Sequence, residues 1–204
     1  MKDQYEEFLS QINAEEYWQR VIESGWLEYI SDTNHGELEK SVKSAFDENP
    51  IYAHTALTTH FIDGEFFSDQ PYTDMLTETS KNSFGRFQPR KINEKLLEDG
   101  RWEVSFEHEG KAYHFVSQDE SDYYDADILT IINTALKDSE KTIRLLTMPP
   151  SDQCLHFVFE TPEIFRKAEQ LRVIPPPMYF LCKEGLTSQN LTDYLSTYYQ
   201  SLSK

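Results

Sequence analysis

Cysteine is nearly absent. Cys154 and Cys182 are the only two in 204 residues, too few for a disulfide framework and without the CxxC spacing of a zinc or redox site. Glycine is sparse as well, with seven residues scattered along the chain. None gathers into the GxxxxGK[ST] or GxGxxG loops that cradle phosphate, and no GxSxG elbow occurs. Long apolar runs are missing too: stretches such as 178–182 fall far short of the ~20 residues that span a bilayer. Residues 1–7, MKDQYEE, lack the apolar core of a secretory signal. These absences predict a cytoplasmic chain with no cofactor and no membrane partner.

Positive charge is the other shortage. Nineteen Lys and Arg stand against 36 Asp and Glu, a formal net charge of −17. A field of this sign repels phosphate backbones and attracts basic proteins, so no direct nucleic-acid partner is expected and a basic protein partner is. Acidity of this degree also serves solubility alone. Aromatic residues make up 14% of the chain, which separates it from acidic disordered tails and predicts a packed globule. In charge and size the chain is similar to small acidic bacterial immunity proteins that neutralise basic toxins. That likeness covers composition and no residue pattern, and it carries no site residues across.

Apolar spacing predicts three helices in the first 48 residues. Tyr5, Phe8, Leu9 and Ile12 form one stripe, Trp18, Val21 and Ile22 a second that ends at Gly25, and Leu38, Val42, Ala45 and Phe46 a third closed by Asn49-Pro50. Residues 51–100 show no sustained period and are expected to hold turns and short helices. After Gly100 the signal sharpens. Trp102, Val104 and Phe106 alternate with polar residues and turn at Glu109-Gly110 into Tyr113 to Val116, a hairpin. A helix follows with Asp125 as its cap and Ile128, Leu129, Ile132, Ala135 and Leu136 on one face. Thr142 to Met148 and Leu155 to Phe159 read as a second hairpin. Thr161-Pro162-Glu163 opens a helix with an N-cap, a proline and a first-turn acid. Residues 178–182 suggest a fifth strand, and Gly185 and Thr187 a last helix.

The expected fold is therefore α+β: an N-terminal helical layer, then a mainly antiparallel sheet in ββαββαβα order with helices on one face. Residues 1–100 form an acidic helical and irregular region and 101–204 an α+β domain, or the two make one continuous globule.

Candidate chemistry is limited. His54, His60, Asp63 and Glu65 mix imidazole and carboxylate, yet His54 and His60 are six apart and do not share a helical face as the HExxH pair does. Cys154 and His156 lie two apart on a strand, the spacing that puts both on one face, as a thiolate and imidazole pair or as ordinary strand packing. Arg86, Arg90, Lys91 and Lys95, interleaved with Phe84 and Phe87 and opposed by Glu94, form the one basic island. Neutralising nearby acids explains it best. The singular feature is the run Asp119, Glu120, Asp122, Tyr123, Tyr124, Asp125 and Asp127, in which five carboxylates surround two tyrosines. It lacks the central glycine of an EF-hand loop. Tyrosine supplies contact area at low entropic cost and the acids steer a cationic partner; as plain structure, it is a solvated loop with both tyrosines folded onto the sheet.

The reading expected from the sequence is a non-catalytic, immunity- or inhibitor-type binding module that docks a basic protein, with no catalytic residue and no metal. The alternative is a small hydrolase or metal-dependent enzyme using His54 and His60, or Cys154 and His156.

Overall fold

A computed structural model describes residues 2–26, 32–58, 60–63, 68–118, 124–125, 127–148 and 154–175. The expected strand at 178–182 and the last helix lie outside them.

The helical layer forms as the spacing predicts. Helix α1 spans Lys2–Ser10, α2 Ala14–Ser24 and α3 Asp32–Glu48. Asn13 starts α2 with a reciprocal capping box: its side chain accepts from the Glu16 N–H, and the Glu16 carboxylate accepts from the Asn13 N–H. Gly25 ends it at φ +88°, a left-handed position that costs glycine nothing. The buried stripe of α2 is Tyr17, Trp18, Val21 and Ser24, whereas Ile22 is 45% exposed. One residue of the expected stripe therefore points to solvent, because the contact face is centred on Tyr17. Pro50 stops α3 and opens a 3-10 helix, Pro50–Leu57.

Residues 51–100 hold more order than their pattern suggests. Strand β1 spans His60–Asp63, helix α4 Pro71–Lys81 and strand β2 Arg90–Leu96. Two strands thus occupy ground where turns and short helices are expected. The short β1 leaves no room for a period, and β2, RKINEKL, is an exposed edge strand whose ladder is interrupted at Lys91 (φ +50°). An edge strand with lysines and a bulge resists pairing with other chains, and it carries no apolar alternation to read.

From Gly100 the elements follow in the expected order. Strands β3 (Trp102–His108) and β4 (Lys111–Val116) make the hairpin, α5 spans Asp127–Asp138, β5 (Arg144–Thr147) and β6 (Cys154–Glu160) pair antiparallel, and α6 covers Pro162–Gln170. Thr161 caps α6 by accepting from the Ile164 N–H, with Pro162 and Glu163 in its first turn. The strands fall into two antiparallel sheets, ordered β2-β3-β4 and β1-β6-β5.

The two sheets are used differently. In β3 and β4 the buried residues Val104, Phe106, Tyr113 and Phe115 face α4 and α5, and Glu103, Glu107 and His114 on the other face are half-buried or exposed. Helices thus cover one face. In β5 and β6 successive residues go to opposite cores: Leu146 and Val158 join Tyr17, Trp26, Val42 and Phe165, while Leu145, Phe157 and Phe159 join Tyr72, Phe106, Ile132 and Leu136. The second sheet is a layer buried on both sides, which is why β6 reads as a near-continuous apolar run.

Candidate functional site

Three members of the acid-tyrosine run lie among the described residues, and all three hold the chain in place. Tyr124 sets its ring edge-on to Tyr72 at 5.6 Å and donates its hydroxyl to the Pro71 carbonyl at 3.1 Å. Partial burial pushes its phenol up to about 12, with the nearby carboxylates of Asp74 and Glu94 adding to the shift, so it remains a neutral donor. Asp125 receives the Gln118 N–H at 2.6 Å and the Asp127 N–H at 2.8 Å, which fixes the entry to α5. The expected capping role of Asp125 is therefore seen in its hydrogen bonds. Asp127 accepts from the Gln118 side chain at 2.9 Å. Asp119, Glu120, Asp122 and Tyr123 lie outside the described residues.

His54 and His156 lie near each other where the 3-10 helix meets β6. His54 sits fully buried on the 3-10 helix, its Nδ1 3.2 Å from the Ile51 carbonyl oxygen. Burial, and next the charge of nearby His156, push its imidazole down to about 3, so it stays neutral in ordinary buffers. A side chain so enclosed has no access to a substrate. His156 places Nδ1 3.5 Å from the Thr58 hydroxyl. The β1-β6 register sets His60 opposite Phe157 and Asp63 opposite Cys154. No group of three His, Cys, Asp or Glu able to hold a metal occurs among the described residues. Glu65 and Cys182 lie outside them.

The basic island faces acids of the same fold. Lys91 pairs with Glu107 at 2.8 Å, Arg90 stands opposite Glu107 and Lys95 opposite Glu103 in the β2-β3 ladder, and Arg86 reaches the Phe84 carbonyl. Glu94, the one acid of the island, has a different task. Its carboxylate accepts the Tyr72 and Thr73 N–H groups at 3.1 and 2.8 Å and so caps α4 from another strand. Sequence inspection misses this role because the two partners are more than twenty residues apart.

One feature escapes sequence reasoning altogether. Where β6 runs into α6, a cleft of about 460 Å³ opens between α3, the end of the 3-10 helix and the turn after α4. Glu160 lines it at 2% exposure, with its Oε2 accepting the Thr161 N–H at 2.7 Å. Glu37 lies at its exposed rim, and Trp26, Phe84 and Phe159 supply aromatic wall. Phe84 is 46% exposed and sits at φ +54°, uncommon for an aromatic residue. No local spacing announces this site, since its walls come from five separate parts of the chain.

No family model, curated protein or solved structure matches this chain. No helix among the described residues is long and apolar enough to cross a membrane.

Proposed function

We propose that this chain is a non-catalytic binding protein of the immunity or inhibitor type, acting in the cytoplasm, whose acidic surface docks a basic protein. The observation that carries the reading is how its few cations are used. Lys43 bridges Glu15 and Glu39, and Lys81, Lys91, Lys111 and Lys141 pair with Glu78, Glu107, Asp138 and Glu109. Arg20 and Arg172 lie over the Phe8 ring and donate to backbone carbonyls. Cations engaged in this way leave the surface field to the acids, which outnumber them 36 to 19. Such a field steers a basic partner into place.

The docking surface is proposed at Asp119, Glu120, Asp122 and Tyr123, with Tyr124, Asp125 and Asp127 fixing the chain that follows them. The test is capture from host lysate at low salt, elution in a salt gradient, and then stopped-flow kinetics with the purified partner. The expected partner is basic, binds in equal proportion, and associates at rates rising toward ~10⁸ M⁻¹s⁻¹ at low salt. Association insensitive to ionic strength overturns the reading.

A further inference from the structure

We infer that Asn133 stands in for a neighbouring strand at the edge of β5 and so closes that edge to a second copy of this chain. The inference concerns a contact inside the fold and does not depend on the docking reading.

Sheet order makes β5 an edge strand, with β6 as its one partner among the described residues. The Met148 N–H donates to the His156 carbonyl, so in this antiparallel ladder Leu146 and Arg144 also turn their backbone groups toward β6 and Leu145 turns its own away. Leu145 therefore presents a donor and an acceptor at the outer edge. Both are engaged by α5. The Leu145 N–H donates to Asn133 Oδ1 at 2.8 Å, and Asn133 Nδ2 donates to the Leu145 carbonyl at 2.9 Å. One side-chain amide thus makes the two bonds that a residue of an adjoining strand would make. Two residues before Leu145, the Ile143 carbonyl accepts from the Arg144 guanidinium at 2.8 Å.

Two sheet edges show why such a stand-in matters. Strand β2, at the edge of the other sheet, carries two lysines and a break at Lys91, features that deter pairing by themselves. Strand β5 is RLLT, with Leu145 and Leu146 buried in opposite cores. A short apolar edge whose backbone groups lack partners is a template for another chain. Asn133 follows buried Ile132 on α5 and is itself half-buried. Asparagine is a poorer helix former than alanine, so the bonds of its amide, and not the helix, account for its place there.

Amide hydrogen exchange at Leu145 and mass by light scattering, both on the full chain over a range of concentrations, test this. In wild type the Leu145 amide is expected to exchange slowly at every concentration. Asn133→Ala removes both bonds, so in dilute solution exchange at Leu145 is expected to quicken at least ~10-fold. As concentration rises, the mass is expected to climb above that of wild type while Leu145 becomes protected again. Asn133→Asp keeps an acceptor for the Leu145 N–H, loses the donor to its carbonyl and adds a charge beside the edge. It is expected to lower the urea midpoint as Ala does, yet to keep wild-type mass, because charge at an edge deters pairing. Since a change at a half-buried position can affect folding, Asn133→Ser serves as a second variant. Its single hydroxyl cannot bridge both groups, and it is expected to follow Ala.

Association in the Ala or Ser variant, with protection regained at Leu145 and none in Asp, supports the assignment. Wild-type mass in every variant overturns it and leaves Asn133 as a link between α5 and β5 alone. Equal association of Asp and Ala overturns it as well, since loss of stability then accounts for both. So does association that leaves Leu145 exchanging fast, which places the contact elsewhere, and so does fast exchange at Leu145 in wild type.

Discussion

The core under the helical layer and the core between the sheets meet at β5 and β6, and they are held by different contacts. The first joins distant parts of the chain through polar links, one of them buried. Tyr17 donates to the Val173 carbonyl at 2.7 Å, and Arg20 and Arg172 flank the Phe8 ring while reaching the Leu171 and Gln4 carbonyls. Ring pairs occur in both cores, Tyr17 with Phe46 at 4.9 Å in the first, but among the described residues the second holds more of them. Phe87 meets Phe106 edge-on at 5.7 Å, Tyr72 meets Phe115 and Tyr124 at 5.4 and 5.6 Å, and Phe106 stacks on Tyr113 at 5.4 Å. Aromatic pairs add about 0.5 to 1.5 kcal/mol beyond their buried area. The first core therefore depends on the two ends of the described chain coming together, and the second on rings supplied by α4, the β3-β4 hairpin and the entry to α5.

The comparison is broken most forcefully at the shared layer. Phe157 on β6 is fully buried in the second core and Phe165 on α6 in the first. Each, replaced by Ala, is expected to cost about 3 to 5 kcal/mol. Tryptophan placement reports the two cores separately: Trp18 and Trp26 belong to the first, and Trp102 packs against the second. Unfolding in urea, followed in Trp102→Phe and in Trp18→Phe/Trp26→Phe, should show coincident transitions, because β6 ties both cores together. Two midpoints, with Phe157→Ala moving only one, would show that the cores melt independently.

A buried histidine beside the first core makes the fold sensitive to acid. His54 is neutral in the fold down to about pH 3, held there by burial and then by the charge of His156, whereas the unfolded chain protonates it near 6.5. A depressed histidine favours the unfolded state as pH falls. The stability it contributes is complete above about pH 6.5 and is lost progressively toward pH 3. Between pH 7 and 5 wild type is expected to lose about 2 kcal/mol more than His54→Leu in urea titrations. Equal losses in both would show that the histidine is not the sensitive group.

How far the sequence discloses this arrangement depends on whether a residue's partner is local. The N-terminal helix stripes, the β3-β4 hairpin, the helix from Asp127 and the Thr161-Pro162-Glu163 start are all local patterns, and each appears in the structure. Strand β2 is held by its ladder to β3 and not by burial, so periodicity does not find it. The Glu94 cap on α4 and the cleft at Glu160 join residues from separate elements, and no spacing rule reaches across such gaps. The continuous apolar character of β6 does signal a strand covered on both faces, yet it does not say by what.

A smaller test sharpens the contrast through two hydroxyls. Tyr17 and Tyr124 each donate to a backbone carbonyl, at 2.7 Å to Val173 and 3.1 Å to Pro71. Tyr17 is fully buried, and burial holds its phenol well above its usual range, so Tyr17→Phe leaves a buried carbonyl without its donor. That loss is expected to cost about 1 to 2 kcal/mol.

Tyr124 is only partly buried, and its edge-on contact with Tyr72 survives loss of the hydroxyl. Water can replace the lost donor at Pro71, so Tyr124→Phe is expected to cost less than about 1 kcal/mol. Urea unfolding of both variants at pH 7 checks the order. If Tyr124→Phe costs as much as Tyr17→Phe, the second core relies on its polar link as heavily as the first, and ring packing no longer distinguishes them. If it costs little and also leaves partner association unchanged, Tyr124 anchors the acidic run while contact with the partner falls to the residues before it.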